Sequence, residues 1–304
     1  MRYVVTGAAG FIGSHLTESL IAEGHEVLGL DSFTDYYDPA LKEENARGLD
    51  VQRVDLADGE LDFAGTDGVF HLAGQPGARS FGDVFPLYLR RNVLATQRVF
   101  EAAVAADVKV VWASSSSVYG DAERYPTPED AAPRPNNPYG ITKLACEQLH
   151  DTYTRVFGLR AVALRYFTVY GPRQRPDMAF ARVVAALAAD EQFELYGDGS
   201  QSRSFTFVAD VVAATALALA AAPGVYNVGG GEEATMREAL VLLESIAGRP
   251  LHVTYGPPQT GDMQRTKADT GRIERELGWQ ADTPLRDGLE QHWQWSERAR
   301  LTSR

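Results

Sequence analysis

Six short apolar runs recur through the first 167 residues, and most of the gaps between them carry helical periodicity. The runs are Tyr3–Val5, His25–Asp31, Val51–Leu56, Gly68–Gly74, Lys109–Ser115 and Leu159–Phe167. Segments such as FIGSHLTESLIAEG and NVLATQRVFEAAVAAD lie between them. Strands separated by helices pair in parallel, with helices on both faces of the sheet. Near-continuous apolar runs suit strands that are buried on both sides. After Phe167 the pattern loosens into proline and glycine clusters, although Gly224–Gly230 reads as a strand returning to the main sheet. No Ser- or Gly-rich linker, internal repeat or low-complexity tract divides the chain. At 304 residues it can form one large domain or two closely joined ones.

The first strand runs into TGAAGFIGSH, where Gly7, Gly10 and Gly13 stand three residues apart and open a helix. A glycine at position 7 permits a tight turn. Gly10 lets a pyrophosphate approach the backbone, and Gly13 lets helix and strand pack closely. Free N–H groups and a partial positive charge at the helix N-terminus complete a phosphate site. Asp31 ends the second strand, where an acid can take both ribose hydroxyls of an adenosine and repel a 2′-phosphate. This predicts NAD rather than NADP. A purely structural corner with a solvated Asp31 is the competing reading; strand, glycines, helix and acid standing in order weigh against it. Asp55 is placed to meet the adenine edge, and Leu72, Ala73 and Gly74 to line the cofactor groove. Small residues at a strand end have an equally good packing reading. The fold expected is therefore α/β, a Rossmann-like doubly wound parallel sheet over residues 1–167. A smaller C-terminal α/β substrate domain, residues 168–304, is interleaved with it through the returning strand near 224–230.

Tyr139 and Lys143 follow the breaker run PRPNNP. Four residues apart on a helix, they share one face. A free tyrosine has a pKa of about 10 and is a weak base at neutral pH. A lysine cation beside it stabilises the phenolate and lowers that value. The pair alone is common on surface helices. Here SSSSVYG ends the fifth strand upstream, and ligands bind at the carboxyl ends of parallel strands. A hydroxyl there can hold a substrate oxygen beside the tyrosine.

The remaining composition narrows the partners. A net charge of −12 argues against nucleic acid. The longest apolar stretch, Val211–Pro223, is too short and too alanine-rich to span a membrane. Met1 leads directly into a strand-like run, which leaves no room for a signal peptide. A single cysteine, Cys146, excludes an internal disulfide and suits a reducing, cytoplasmic setting. Nothing in the spacing of His, Cys and carboxylates suggests a metal site. His15, His71 and Cys146 read as packing residues, as do Trp279, Trp293 and Trp295.

Over nearly its whole length the chain resembles the extended short-chain dehydrogenase/reductase family, in its nucleotide-sugar epimerase branch. The resemblance rests on TGAAGFIG, Asp31, HLAG, ASSSSVYG, YGITK, RYFTVYGP, GDGSQSRSF and GDMQRTKADTGRIERELGW. It implies Ser115 as the catalytic hydroxyl, three residues before the valine of VYG, with Tyr139 and Lys143 beside it. It also implies a tightly held NAD, with Phe11, Ile12, Leu56, Asn92, Ala113 and Tyr166 joining the glycines in the cofactor site. A UDP-sugar substrate is implied, together with a homodimer through the helix bearing Tyr139 and a neighbouring helix.

Departures within the family bear on the reaction. Its dehydratases place Asp-Glu after the catalytic hydroxyl, where this chain has Ser116 and Ser117. Its UDP-glucuronate decarboxylases usually carry Glu before the VYG valine, where Ser117 stands again. Its galactose-type epimerases usually read RYFN, where this chain reads RYFTVYGPRQRPDMAF from Arg165. That stretch looks like the UDP-glucuronate 4-epimerases, which also share an arginine like Arg79. Oxidising C4 of a glucuronate makes a β-keto acid that loses CO2 easily, so its carboxylate must be held. Ser116, Ser117, Thr168 and Arg175 are candidates for that clamp, because a guanidinium fork matches a carboxylate. Arg173 and Arg175 also read as solvated loop charges, and Thr168 as a strand residue bonded to backbone; the resemblance favours the clamp for Arg175. Arg203 and Asp262 match family positions near the nucleotide. Where galactose-type epimerases use an arginine on the diphosphate, this chain has Gln259, with Arg265 as a substitute candidate. The resemblance thus implies 4-epimerisation of UDP-glucuronate to UDP-galacturonate. The alternatives are a UDP-glucose/UDP-galactose 4-epimerase, then a UDP-glucuronate decarboxylase or a non-catalytic NAD-binding sensor.

Overall fold

A computed structural model describes residues 1–77, 82–258 and 263–302. Its main sheet contains β1 (Arg2–Thr6), β2 (Glu26–Asp31), β3 (Val51–Arg53), β4 (Gly68–His71), β5 (Val110–Ser115) and β6 (Ala161–Tyr166). After β7 (Thr168–Tyr170), β8 (Gln192–Tyr196) and β9 (Ser202–Phe207), the chain returns as β10 (Gly224–Val228) to the edge beside β6. The order across the seven strands is β10-β6-β5-β4-β1-β2-β3, and every neighbouring pair is parallel. The chain winds outward from β1 to β3, then crosses to β4 and winds the other way. The crevice beyond the carboxyl ends of β1 and β4 is therefore the switch point, where open α/β sheets bind ligands.

Side-chain alternation along the strands divides the core into two layers. Val5, Phe70, Val111, Val162 and Leu164 face one side and pack in one cluster with Phe11, Leu16 and Leu20 of the helix Phe11–Ala22 and with Val208 and Val211 of the helix Val208–Leu217. Their neighbours Val4, Val69, Val110, Trp112, Ala161 and Ala163 face the other side. These pack with Val99 and Phe100 of the helix Ala95–Ala105 and with Cys146 of the helix Pro138–Phe157. Apolar residues at successive positions are thus needed, because both faces are covered.

The second region is built round β9. It pairs with β7, with β11 (Glu233–Thr235) and with β13 (Arg265–Thr266); β8 pairs with β12 (His252–Gly256). Phe180, Phe205, Leu243, Ile273 and Trp293 belong to the same apolar cluster as Val5 and Phe70, so the two regions share one core. No helix among the described residues is long and apolar enough to cross a membrane.

Two strands end earlier than the apolar runs suggest. β3 stops at Arg53, because the Asp55 carboxylate accepts the Ala57 N–H at 3.0 Å and turns the chain. β4 stops at His71, where Thr6 Oγ1 bonds the ring at 2.7 Å and receives the Ala73 N–H at 3.2 Å.

Candidate active site

The switch-point crevice opens into a cleft of about 520 Å3, within the range that takes a small molecule. Gly7 leaves β1 at φ +73°, and a Cβ there would lie 2.8 Å from the Ala73 nitrogen. A Cβ on Gly13 would lie 2.0 Å from the Gly7 carbonyl oxygen, so strand end and helix meet through bare backbone. Gly10 is the N-cap of the helix Phe11–Ala22, with no side-chain cap and no acid in the first turn. The positive end of the helix therefore faces the cleft without an internal anion. Asp31 is buried and lines the same wall. Its carboxylate accepts the N–H groups of Ala9 at 3.1 Å and Phe33 at 2.8 Å, which fixes the glycine turn against the end of β2. Phe11, Ile12, Leu56, Leu72, Ala73, Ala113 and Tyr166 all line the cleft. Asp55 is at its rim, where Arg90 holds it at 2.9 Å.

Asn92 does not line the cleft. It is buried one layer behind, accepting the Gln75 N–H at 2.6 Å and donating to Gln75 O at 3.2 Å and Thr142 Oγ1 at 3.0 Å. It ties the loop after β4 to the helix Pro138–Phe157.

That helix begins with Asn137, whose Oδ1 accepts the Gly140 N–H at 2.8 Å. A Cβ on Gly140 would lie 2.4 Å from the Ser117 carbonyl oxygen. Glycine after Tyr139 is thus what lets the helix start against the Ser115–Ser117 turn, a signal the sequence carried in YG. Lys143 is 3% exposed; its Nζ donates to Ala113 O at 2.8 Å and lies 5.7 Å from the centre of the Tyr139 ring. Ser115 Oγ accepts the Ser117 N–H at 3.1 Å, which leaves its single O–H to donate elsewhere. Burial, assisted by the Lys143 charge, pushes His71 down to about 3, so the imidazole behind the lysine is neutral.

A buried polar tie supports this arrangement. Ser114 Oγ donates to Glu147 Oε1 at 2.6 Å, one turn along the helix from Lys143. Arg165 of β6 donates its Nε and Nη2 to the same carboxylate at 2.9 and 2.7 Å, and its Nη1 to the Tyr119 hydroxyl at 2.7 Å. The end of β5, the helix and β6 are therefore fixed to one another below the three polar groups.

Ser116, Ser117, Thr168 and Arg175 line the same cleft. Arg173 turns away to Glu18 at 2.7 Å, so the two loop arginines part company. Arg175 enters the cleft with its Nε and Nη2 on Asp177 at 3.0 and 3.1 Å. Arg203 is outside the cleft: it lies on β9 and donates to Ser202 O at 2.9 Å and to Met263 O. Arg79, Gln259 and Asp262 fall outside the described residues.

Sequence reasoning missed Tyr36, Tyr37, Lys42, Gln75 and Arg91, which line the cleft. Lys42 Nζ donates to Thr34 O and Oγ1, both at 2.9 Å, and lies 4.8 Å from the Tyr37 ring centre. Burial lowers its pKa, opposed by the Asp31 charge. The available signal was position: residues following β2 and β4 border the switch point whatever their type. No group of His, Cys, Asp and Glu among the described residues could hold a metal ion.

The NAD dependent epimerase/dehydratase family matches residues 3–229. A UDP-glucuronic acid 4-epimerase from Bacillus cereus, solved in complex with UDP-glucuronic acid and NAD, superposes with a TM-score of 0.95 at 36% identity. The match covers 98% of this chain and 100% of that one. A UDP-glucose 4-epimerase of Mycolicibacterium smegmatis is 38% identical, over 95% of this chain and 96% of that protein. UDP-glucuronate 4-epimerase 3 of Arabidopsis thaliana is 34% identical, over 96% of this chain and 75% of that protein.

Proposed function

The chain belongs to the NAD dependent epimerase/dehydratase family, and on that premise we propose that it interconverts UDP-glucuronate and UDP-galacturonate through a transient 4-keto sugar. The glycine turn, the uncapped helix end and Asp31 fit NAD: they offer donors to a pyrophosphate and an acceptor to ribose hydroxyls, with no room for a Cβ at Gly7 or Gly13. Bound there, NAD would supply the hydride acceptor and donor for the exchange at C4. Tyr139 as phenolate takes the C4 hydroxyl proton. Lys143 keeps positive charge beside it, and Ser115 donates its O–H to the same sugar oxygen. The sugar turns over between the two hydride transfers, so the UDP end must stay fixed; Arg203 and Asp262 are the residues proposed for that end.

The single observation that carries the choice of a uronate is Arg175, a guanidinium in the same cleft as Tyr139 and Lys143. With Ser116, Ser117 and Thr168 it offers a fork and hydroxyls to a carboxylate at C5. Arg79 is assigned to the same substrate, and Asn92 acts on the cofactor site from behind. The Mycolicibacterium relative favours a second reading, a neutral UDP-hexose substrate. Arg175→Gln separates the two. It is expected to lower kcat/KM for UDP-glucuronate about 10- to 100-fold, the worth of one charge-assisted pair, and to change UDP-glucose turnover little. Equal effects on both sugars would contradict the assignment.

The reading extends to the assembly. Ile141, Val156 and Phe157 on the helix bearing Tyr139, and Leu89 and Leu94 on the neighbouring helical segment, are exposed apolar side chains, which supports a homodimer through those helices. One buried cysteine supports a reducing compartment such as the cytoplasm.

A further inference from the structure

Arg175 reaches the cleft already committed on one side. Its Nε and Nη2 donate to the two oxygens of Asp177 at 3.0 and 3.1 Å, and the Tyr36 hydroxyl donates to Asp177 Oδ2 at 3.2 Å. Tyr36 lies on the loop after β2, so the contact bridges two loops 141 residues apart. Two parallel N–H···O bonds define the plane of a guanidinium. They take the edge bearing Nε and leave the edge formed by the two Nη groups. Asp177 also has a cost for an anionic ligand, because its charge offsets that of Arg175 and opposes a second carboxylate.

We propose that Asp177, held by Tyr36, is the positioning residue for the sugar carboxylate, fixing Arg175 so that only its Nη edge meets the substrate. This rests on the reading of UDP-glucuronate as substrate. Asp177 weakens the attraction and sets its direction. Direction matters because the 4-keto intermediate is a β-keto acid. When the C5–C6 bond stands perpendicular to the ketone plane, it can break. C6 then leaves as CO2, the electron pair forms the C4–C5 enolate, and a solvent proton adds at C5 to give a UDP-4-keto-pentose. Decarboxylation itself is redox-neutral: if the C4 hydride then returns to the ketone the product is a UDP-pentose with no net oxidation, and if the UDP-4-keto-pentose leaves first, one NADH remains per ketone released. A carboxylate held with C5–C6 near the ketone plane lacks that overlap. A guanidinium free to turn about its long side chain cannot impose that geometry.

The test is product analysis by proton NMR on the NAD-loaded enzyme and on Asp177→Asn and Tyr36→Phe, each given UDP-glucuronate. For Asp177→Asn the expected result is a KM equal to or below that of the unsubstituted enzyme, kcat for epimerisation lower by about tenfold, and decarboxylated pentose among the products. Tyr36→Phe should move the epimer-to-pentose ratio the same way by less. A merely structural Asp177 would raise KM and lower kcat with no pentose formed. That outcome, or an unmoved product ratio in both variants, would overturn the role of Asp177 alone. Absence of UDP-galacturonate from the unsubstituted enzyme would overturn the substrate reading and this inference with it.

Discussion

Tyr139→Phe is expected to lower turnover of UDP-glucuronate by at least about 10³-fold while the protein keeps its fold and its NAD, as loss of a positioned general base requires. The substitution removes one oxygen. The ring stays, and Lys143 still bonds Ala113 O at 2.8 Å, so the wall behind the cofactor site is unchanged. The phosphate cradle, Gly7 to Gly13, belongs to a different element from the phenol, the start of the helix Phe11–Ala22 rather than of Pro138–Phe157. NAD content, read after acid release from the purified variant, should therefore match that of the unsubstituted protein. Turnover within about tenfold of normal would mean that another group takes the C4 proton.

A comparable effect, on stability this time, is expected on mild acidification. Three histidines are buried and hydrogen-bonded or enclosed in neutral form. His71 lies between Thr6 and Thr96, His150 accepts the Trp112 indole N–H at 3.1 Å, and His292 is enclosed on the C-terminal helix Leu285–Thr302. Burial pushes them down to about 3, about 4 and about 4 respectively. For His71 the Lys143 charge adds to burial, whereas Glu147 and Asp151 oppose it at His150. Unfolding releases each to about 6.5, so the unfolded chain binds protons that the native chain does not. Their contribution is intact above pH 6.5 and lost as pH falls towards the native values. At pH 5 the loss is about 2 kcal/mol for each histidine, or about 6 together, because it depends there on the unfolded value alone. That is a large part of an ordinary stability of about 5–15 kcal/mol. Urea midpoints at pH 7.5 and pH 5.0, with NAD held at one saturating concentration, should fall steeply; equal midpoints would show that the three rings protonate in place.

How much of this was legible depended on sequence distance. The sheet was readable because strands covered on both faces must be apolar at every position, as Val110, Val111 and Trp112 are. Tyr139 and Lys143 were readable because one helical turn brings them together, and Asp31 because it closes a strand. The tie of Ser114, Glu147 and Arg165 was not readable, since its members come from a strand end, a mid-helix position and another strand. Nor was the bond from Tyr36 to Asp177, which needs both loops in place. Nor were the bonds of Asn92 to Gln75 and Thr142, because a family pattern marks a position and says nothing of which side a buried amide faces. Arg203 was placed near the nucleotide by the resemblance alone; in the structure it donates to Ser202 O and to the carbonyl of Met263, which lines the cleft.

A carboxylate-holding guanidinium and a tyrosine base are proposed to act on one sugar. The most direct measurement is a proton NMR time course of the purified protein with UDP-glucuronate, run beside an identical tube of UDP-glucose. Growth of UDP-galacturonate signals in the first tube, outpacing any UDP-galactose in the second, is the predicted result. Turnover of UDP-glucose alone would contradict it and leave Arg175 without a substrate carboxylate to hold.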